Sequence, residues 1–121
     1  MGGIRKWTYA TNNGNPKIMI KSFETTLLEK LGLVADFDPE YAQWSYTFVR
    51  PPLRLEFIYS LDGTVSTSLY FDDTLLAFNY ASGLHCLSIN EDEISCDIIS
   101  GPLRRALTFN INSLRVKWQD L

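Results

Sequence analysis

The sequence predicts an α+β domain in which one N-terminal helix packs on a curved antiparallel meander sheet of about seven strands. Three observations carry that prediction. Helical spacing is confined to the stretch before residue 32. Period-two alternation begins after Pro39. From there to the end, turn signals recur roughly every ten residues, which describes short strands joined by hairpins.

Apolar residues at Ile20, Phe23, Leu27, Leu28 and Leu31 fall three and four apart and so share one helical face. The predicted helix runs from about Ile18 to Leu31. Gly32 is placed to end it in a left-handed conformation, with Leu33 making the accompanying hydrophobic contact. Its start has two readings. Either Asn15-Pro16 supplies the cap and first position, or Ser22 caps a later start and residues 17–21 are extended. Ahead of it, Ile4 to Ala10 alternates around Trp7 and Tyr9 as a short strand. The run Thr11-Asn12-Asn13-Gly14-Asn15-Pro16 is a turn cluster.

Beyond the helix, Ala42, Trp44, Tyr46 and Phe48 alternate with Gln43, Ser45 and Thr47 in a half-buried strand that Pro51-Pro52 terminates. The next stretch, Leu53 to Ser60, puts Leu53, Leu55, Phe57 and Tyr59 on one face. Parity then decides the turn that follows. A two-residue loop at Asp62-Gly63 would set Tyr59 against Ser66. A three-residue loop, Leu61-Asp62-Gly63, sets Tyr59 against Val65 and Leu55 against Leu69, with a type I turn and a bulge at Gly63 in the left-handed conformation. Further hairpin turns are expected at Asp72-Asp73, Ser82-Gly83, Asn90 to Glu93 and Gly101-Pro102. Strands fall between them at Leu75 to Tyr80, Leu84 to Ile89 and Ile94 to Ile99. The stretch from Leu103 to Trp118 holds one or two strands, with a break at Asn112-Ser113. Spacing leaves open whether the sheet is open, two-layered or closed toward a barrel.

Composition narrows the function classes. A chain of 121 residues that is 45% hydrophobic fits a single domain spanning 1–121 with one core. Fourteen acids against eleven bases give a net charge of −3, which argues against a nucleic-acid face. The basic pairs Arg50/Arg54, Arg104/Arg105 and Arg115/Lys117 read as solvated strand edges. No apolar run is long enough to span a bilayer, the first residues lack the apolar core of a signal peptide, and Lys6 breaks the myristoylation pattern begun by Met1-Gly2. The expected compartment is the cytoplasm, where two cysteines are expected as free thiols.

The residues offer little chemistry. His85 is the single histidine and neighbours Cys86. Adjacent strand residues point to opposite faces, so His85 is not placed to activate Cys86. A two-residue turn at Glu91-Asp92 pairs Leu87 with Cys96 and Ile89 with Ile94. It gathers His85, Leu87, Ile89, Ile94, Cys96 and Ile98 on one apolar face and puts Cys86 on the other, which excludes a disulfide in that register. One histidine and two diverging cysteines make no zinc set. Asp36-Phe37-Asp38-Pro39-Glu40 lacks the glycine and distal glutamate of a calcium loop and reads as an acidic loop joining helix to sheet. No phosphate-binding glycine loop or serine elbow occurs. No metal, cofactor or catalytic residue is expected, and the chain is not expected to be an enzyme.

Binding is the remaining class. Acidic clusters at Asp36, Asp38 and Glu40, at Asp72 and Asp73, and at Glu91, Asp92 and Glu93 sit at predicted strand ends, with Tyr70, Tyr41 and Ile58 on the second face of the sheet. Aromatics beside acids suit a basic protein partner, the rings supplying burial and the charge supplying steering. A small chain of this plan, closing on Arg115-Val116-Lys117-Trp118-Gln119-Asp120-Leu121, resembles the bacterial immunity proteins that neutralise polymorphic toxins, including those of contact-dependent inhibition systems. The resemblance lies in the general plan and carries over no family residue. It implies a tight complex with a cognate toxin domain, often a nuclease, whose basic cleft would meet the acidic tips through Asp36, Asp38, Glu40, Tyr70, Asp72, Asp73, Glu91, Asp92 and Glu93.

Two other classes stay open on the sequence. One is a small-molecule or lipid binder, with Trp44, Tyr46, Phe57 and Tyr59 lining an apolar cavity between helix and sheet. The other is a subunit that pairs through a sheet edge near Trp118. Oligomeric state is not legible.

Overall fold

Asn15 settles where the helix begins. Its side-chain Oδ1 accepts a hydrogen bond from the Lys17 backbone N–H at 3.0 Å, and Pro16 occupies the first turn, where a missing N–H is harmless. The helix α1 spans Pro16–Leu31, so the earlier of the two starts is the observed one. At its end Gly32 takes φ 67°. The Gly32 N–H donates to the Leu28 carbonyl at 3.0 Å and the Leu33 N–H to the Leu27 carbonyl at 3.3 Å, the double closure expected of a left-handed cap. The buried stripe is Met19, Ile20, Phe23, Thr26 and Leu27. Leu28, expected in it, faces solvent.

The computed structural model describes residues 4–8 and 15–121. The predicted first strand therefore ends beyond the described residues at Tyr9 and Ala10, and most of the turn cluster over 11–16 also lies outside them. Among the described residues the strands are β1 (Arg5–Thr8), β2 (Asp36–Asp38), β3 (Gln43–Arg50), β4 (Leu53–Ser60), β5 (Thr64–Phe71), β6 (Thr74–Ser82), β7 (Leu84–Asn90), β8 (Glu93–Ser100), β9 (Leu103–Asn110) and β10 (Val116–Asp120). The α+β antiparallel class is as expected. The ten strands exceed the seven expected and form two five-stranded sheets, ordered β1-β7-β8-β9-β10 and β2-β3-β4-β5-β6.

The turn between β4 and β5 follows the parity argument. Tyr59 pairs with Val65 and Leu55 with Leu69, the Gly63 N–H closes the turn onto the Ser60 carbonyl at 3.1 Å, and Gly63 takes φ 84°. Ser82-Gly83, expected to turn a hairpin, instead carries the chain from the edge of one sheet into the other. The cause is a close backbone approach. The Ile99 N–H donates to the Gly83 carbonyl at 2.8 Å, the Gly83 and Leu84 N–H groups share the Gly63 carbonyl, and a Cβ on Gly83 would lie 2.1 Å from the Ile99 oxygen. Only glycine permits that corner. The acidic segment at residues 36–38 is a short edge strand against β3, not the loop expected.

The sheets face each other across an aromatic core. Phe109 on β9 meets Phe48 and Phe57 of the second sheet at ring separations of 5.6 and 5.0 Å. The Trp118 Nε1 donates to the Thr67 Oγ1 at 3.0 Å, tying β10 to β5. The helix fills one side of the sandwich, where Phe23 makes edge contacts with Trp7 of the first sheet and with Tyr46 and Tyr59 of the second.

Candidate functional site

Residues with reactive side chains are mostly sealed in place. Cys86 and Cys96 are both free and buried. Leu87 pairs with Cys96 and Ile89 with Ile94, as the two-residue turn requires. Burial, aided by the Asp97 carboxylate, pushes the Cys86 thiol up to about 11, and burial drives Cys96 well above the usual thiol range. Both are thiols at neutral pH and poor nucleophiles. Among the described residues no group of three or more histidine, cysteine or acidic side chains is placed to hold a metal ion.

His85 departs from expectation. It does not join the apolar face with Leu87 and Ile98. The pairing shifts between Leu84 and Cys86, so that Leu84 stands opposite Ile98 and Cys86 opposite Asp97. His85 is the extra residue of this bulge. The Gly83–Ile99 contact anchors Leu84 against Ile98, and the strand absorbs one residue before resuming its register. Leu84 is buried in the place expected for His85. The imidazole is half-buried beside a surface cleft of about 310 Å³ that Lys6, Asp97 and Arg104 also line. Lys6 is already ion-paired there with Asp97 at 3.3 Å.

The nine residues expected to meet a partner fall into two groups at opposite ends of the sandwich. A chain of hydrogen bonds locates the larger group. The Asp72 N–H donates to the Pro52 carbonyl at 2.7 Å, the Arg50 guanidinium donates to the Asn112 Oδ1 at 3.3 Å, and the Ile111 N–H donates to the Asp92 carbonyl at 2.9 Å. The β5–β6 turn with Asp72 and Asp73 and the β7–β8 turn with Glu91, Asp92 and Glu93 therefore share one end, although they belong to different sheets. All five acids are exposed. Asp72 and Glu91 lead their turns at φ 52° and 55°. Tyr70 lies next to this end, half-buried, with the Arg54 guanidinium 4.2 Å above its ring.

Asp38 and Glu40 are at the other end. They adjoin the β4–β5 turn, where the Leu61 N–H donates to the Ala42 carbonyl at 3.0 Å. The Asp38 Oδ1 accepts from the Glu40 N–H at 2.9 Å. Asp36 pairs with Ser45 partway along β3. These three acids are not brought to the five.

The acidic end also carries apolar side chains. Val49, Phe71 and Leu75 are all about half-exposed. Val49 borders an open cleft of about 330 Å³ with Pro51, Pro52, Leu53, Arg54, Asp72 and Asp73. The cavity imagined for a small ligand is filled instead. Tyr59 stacks on Trp44 and contacts Tyr46, Phe57 and Phe23, so the rings expected to line a space occupy it.

The strand expected at Leu75 to Tyr80 is present as β6, but sequence reasoning missed how exposed its large side chains are. Its residues Leu75, Leu76, Phe78 and Tyr80 are 50, 54, 58 and 56% exposed. A signal was present, since Thr74–Ser82 contains no charge and edge strands usually carry some.

No protein-family model matches the sequence, and no curated relative matches it. A solved structure does share its fold. The chain superposes on a chain of a contact-dependent growth inhibition toxin–immunity protein complex from Klebsiella pneumoniae 342, with a TM-score of 0.71 over 81% of this chain and 93% of that one, at 20% sequence identity. The plan-level resemblance read from the sequence thus has a structural counterpart in a complex of that type, at the level of fold.

Proposed function

We propose that this chain is a non-catalytic immunity protein that neutralises a cognate toxin domain by direct binding. The fold shared with a chain of a toxin–immunity complex carries the reading. The buried, protonated thiols and the lone histidine turned out at a bulge favour the inhibitor role over the toxin role, because a toxin needs a catalytic set. In this reading the chain works in the cytoplasm, and Asp72, Asp73, Glu91, Asp92 and Glu93 meet a basic active-site cleft, as a nuclease would present. Val49, Tyr70 and Phe71 anchor the rim. Exposed acids contribute mainly through steering and partner choice, and desolvated apolar anchors through the lifetime of the complex. Asp36, Asp38 and Glu40, at or toward the opposite end, take the margin of a wide interface or none of it.

Co-expression with the toxin domain encoded beside this chain tests the proposal. Protection of cells, together with a one-to-one complex on copurification, is the expected result. Growth arrest despite a folded chain, with no complex, would refute it.

A further inference from the structure

We propose that β6 is a homodimer interface, in which two copies pair their β6 strands antiparallel about a two-fold axis near Phe78. The first support is a bulge. Continuing straight from the Asp72-Asp73 turn, Leu69 would face Leu76, and Leu76, Phe78 and Tyr80 would point into the core. Instead the register shifts between Leu69 and Tyr70, so that Tyr70 pairs with Leu75, Leu69 with Ala77, and Ser68 with Phe78. One inserted residue flips every later side chain to the other face. Ala81 is buried, while the large Phe78 and Tyr80 turn outward. Leu75, Phe78 and Tyr80 on that outer face are 50, 58 and 56% exposed, an apolar patch of the kind that marks an interaction surface.

The second support is the edge itself. Strand β6 is nine residues long and has neither charge nor proline, the devices that normally keep free edges from pairing. The other sheet edges have them. Edge β2 is three residues with two aspartates, and β10 carries Lys117 and Asp120.

The third support is charge. Asp72 and Asp73 precede β6, while its far end adjoins a cleft that Ala81 and Ser82 share with the exposed Leu103 and with Arg105, which is ion-paired to Asp120 at 3.2 Å. An antiparallel two-fold pairing sets the aspartates of the two copies at opposite ends of the paired strands and leaves them free to meet another partner. A parallel pairing would set aspartates against aspartates. The antiparallel pairing thus keeps like charges apart and closes on itself about the two-fold axis, and a second copy is always present at equal concentration.

Sedimentation of the full chain at micromolar concentration is expected to give twice the 13.8 kDa chain mass. Phe78→Lys and Tyr80→Lys, each on an already exposed side chain, are expected to raise the dimer dissociation constant roughly tenfold or more while circular dichroism and melting show an intact fold. Position 78 faces itself across the axis, so Phe78→Cys is expected to cross-link spontaneously between copies and Val49→Cys is not. A monomeric mass at all concentrations would overturn the proposal, as would a dimer indifferent to both lysine variants. Protection of β6 amides from hydrogen exchange only on addition of the toxin domain would also overturn it, and would assign the edge to the toxin instead.

Discussion

Gly83 is the residue on which the two-sheet arrangement turns. It holds φ 102° with the Ile99 backbone inside the space a side chain would need. Gly83→Ala is therefore expected to destabilise the fold by more than about 3 kcal/mol. Gly32 also has a positive φ, of 67°, but nothing lies within 4 Å of its missing Cβ. Gly32→Ala should cost only about 1 kcal/mol, the penalty of the left-handed conformation itself. Paired urea titrations distinguish the two, and equal costs would contradict the close-approach account. The same contact explains why His85 was misread. Alternation along β7 predicts it inward, and no residue near it signals that the Gly83–Ile99 hydrogen bond will force a bulge between Leu84 and Cys86.

Individual elements were legible where local chemistry decides them. The three-residue turn at Gly63 and the Leu87–Cys96 register follow from parity alone, because an apolar face must meet an apolar face. The helix was legible except for its start, which rests on Asn15. Asn15→Ala should destabilise the protein by about 1 kcal/mol through loss of the cap, and Ser22→Ala should be close to neutral because Ser22 lies mid-helix. The opposite order in thermal melts would favour the later start. Strand β6 was legible as a strand, but the face on which its large side chains lie was not. Its side chains alternate normally, and the decision lies in a one-residue shift opposite Leu69 that no turn residue announces. The five-acid end was half legible. Each acidic turn was found, but only the Arg50–Asn112 and Asp92–Ile111 hydrogen bonds, between residues distant in sequence, bring the two turns together.

At the scale of the whole molecule, burial of titratable groups sets how stability changes with pH. Burial raises Cys86 and Cys96 above their usual 9.0, and Tyr46, pushed to about 12, and Tyr59 above their usual 10.0. A group with a raised folded pKa stabilises the fold fully below its unfolded pKa and loses that contribution as pH climbs toward the folded value. Above pH 9.0 the unfolded thiols ionise while the folded ones do not, and the tyrosines follow above 10.0. The urea midpoint should therefore be level from neutral pH to about 9.0 and fall steadily beyond it. Replacing Cys96 with alanine should make that fall shallower. A midpoint that holds flat into the tyrosine range would contradict the burial of these groups.

In the proposed complex the toxin is bound through the end where Asp72, Asp73, Glu91 and Asp92 converge. Calorimetric titration with the toxin domain encoded beside the chain is the decisive measurement, using the wild type and a variant combining Asp72→Lys, Asp73→Lys, Glu91→Lys and Asp92→Lys. All four positions are exposed, so the variant should fold. One-to-one binding of roughly nanomolar affinity is expected, weakening with salt and falling about a hundredfold or more on charge reversal. A charge-reversed chain that binds as tightly as the wild type, or a wild type that does not bind at all, would contradict it.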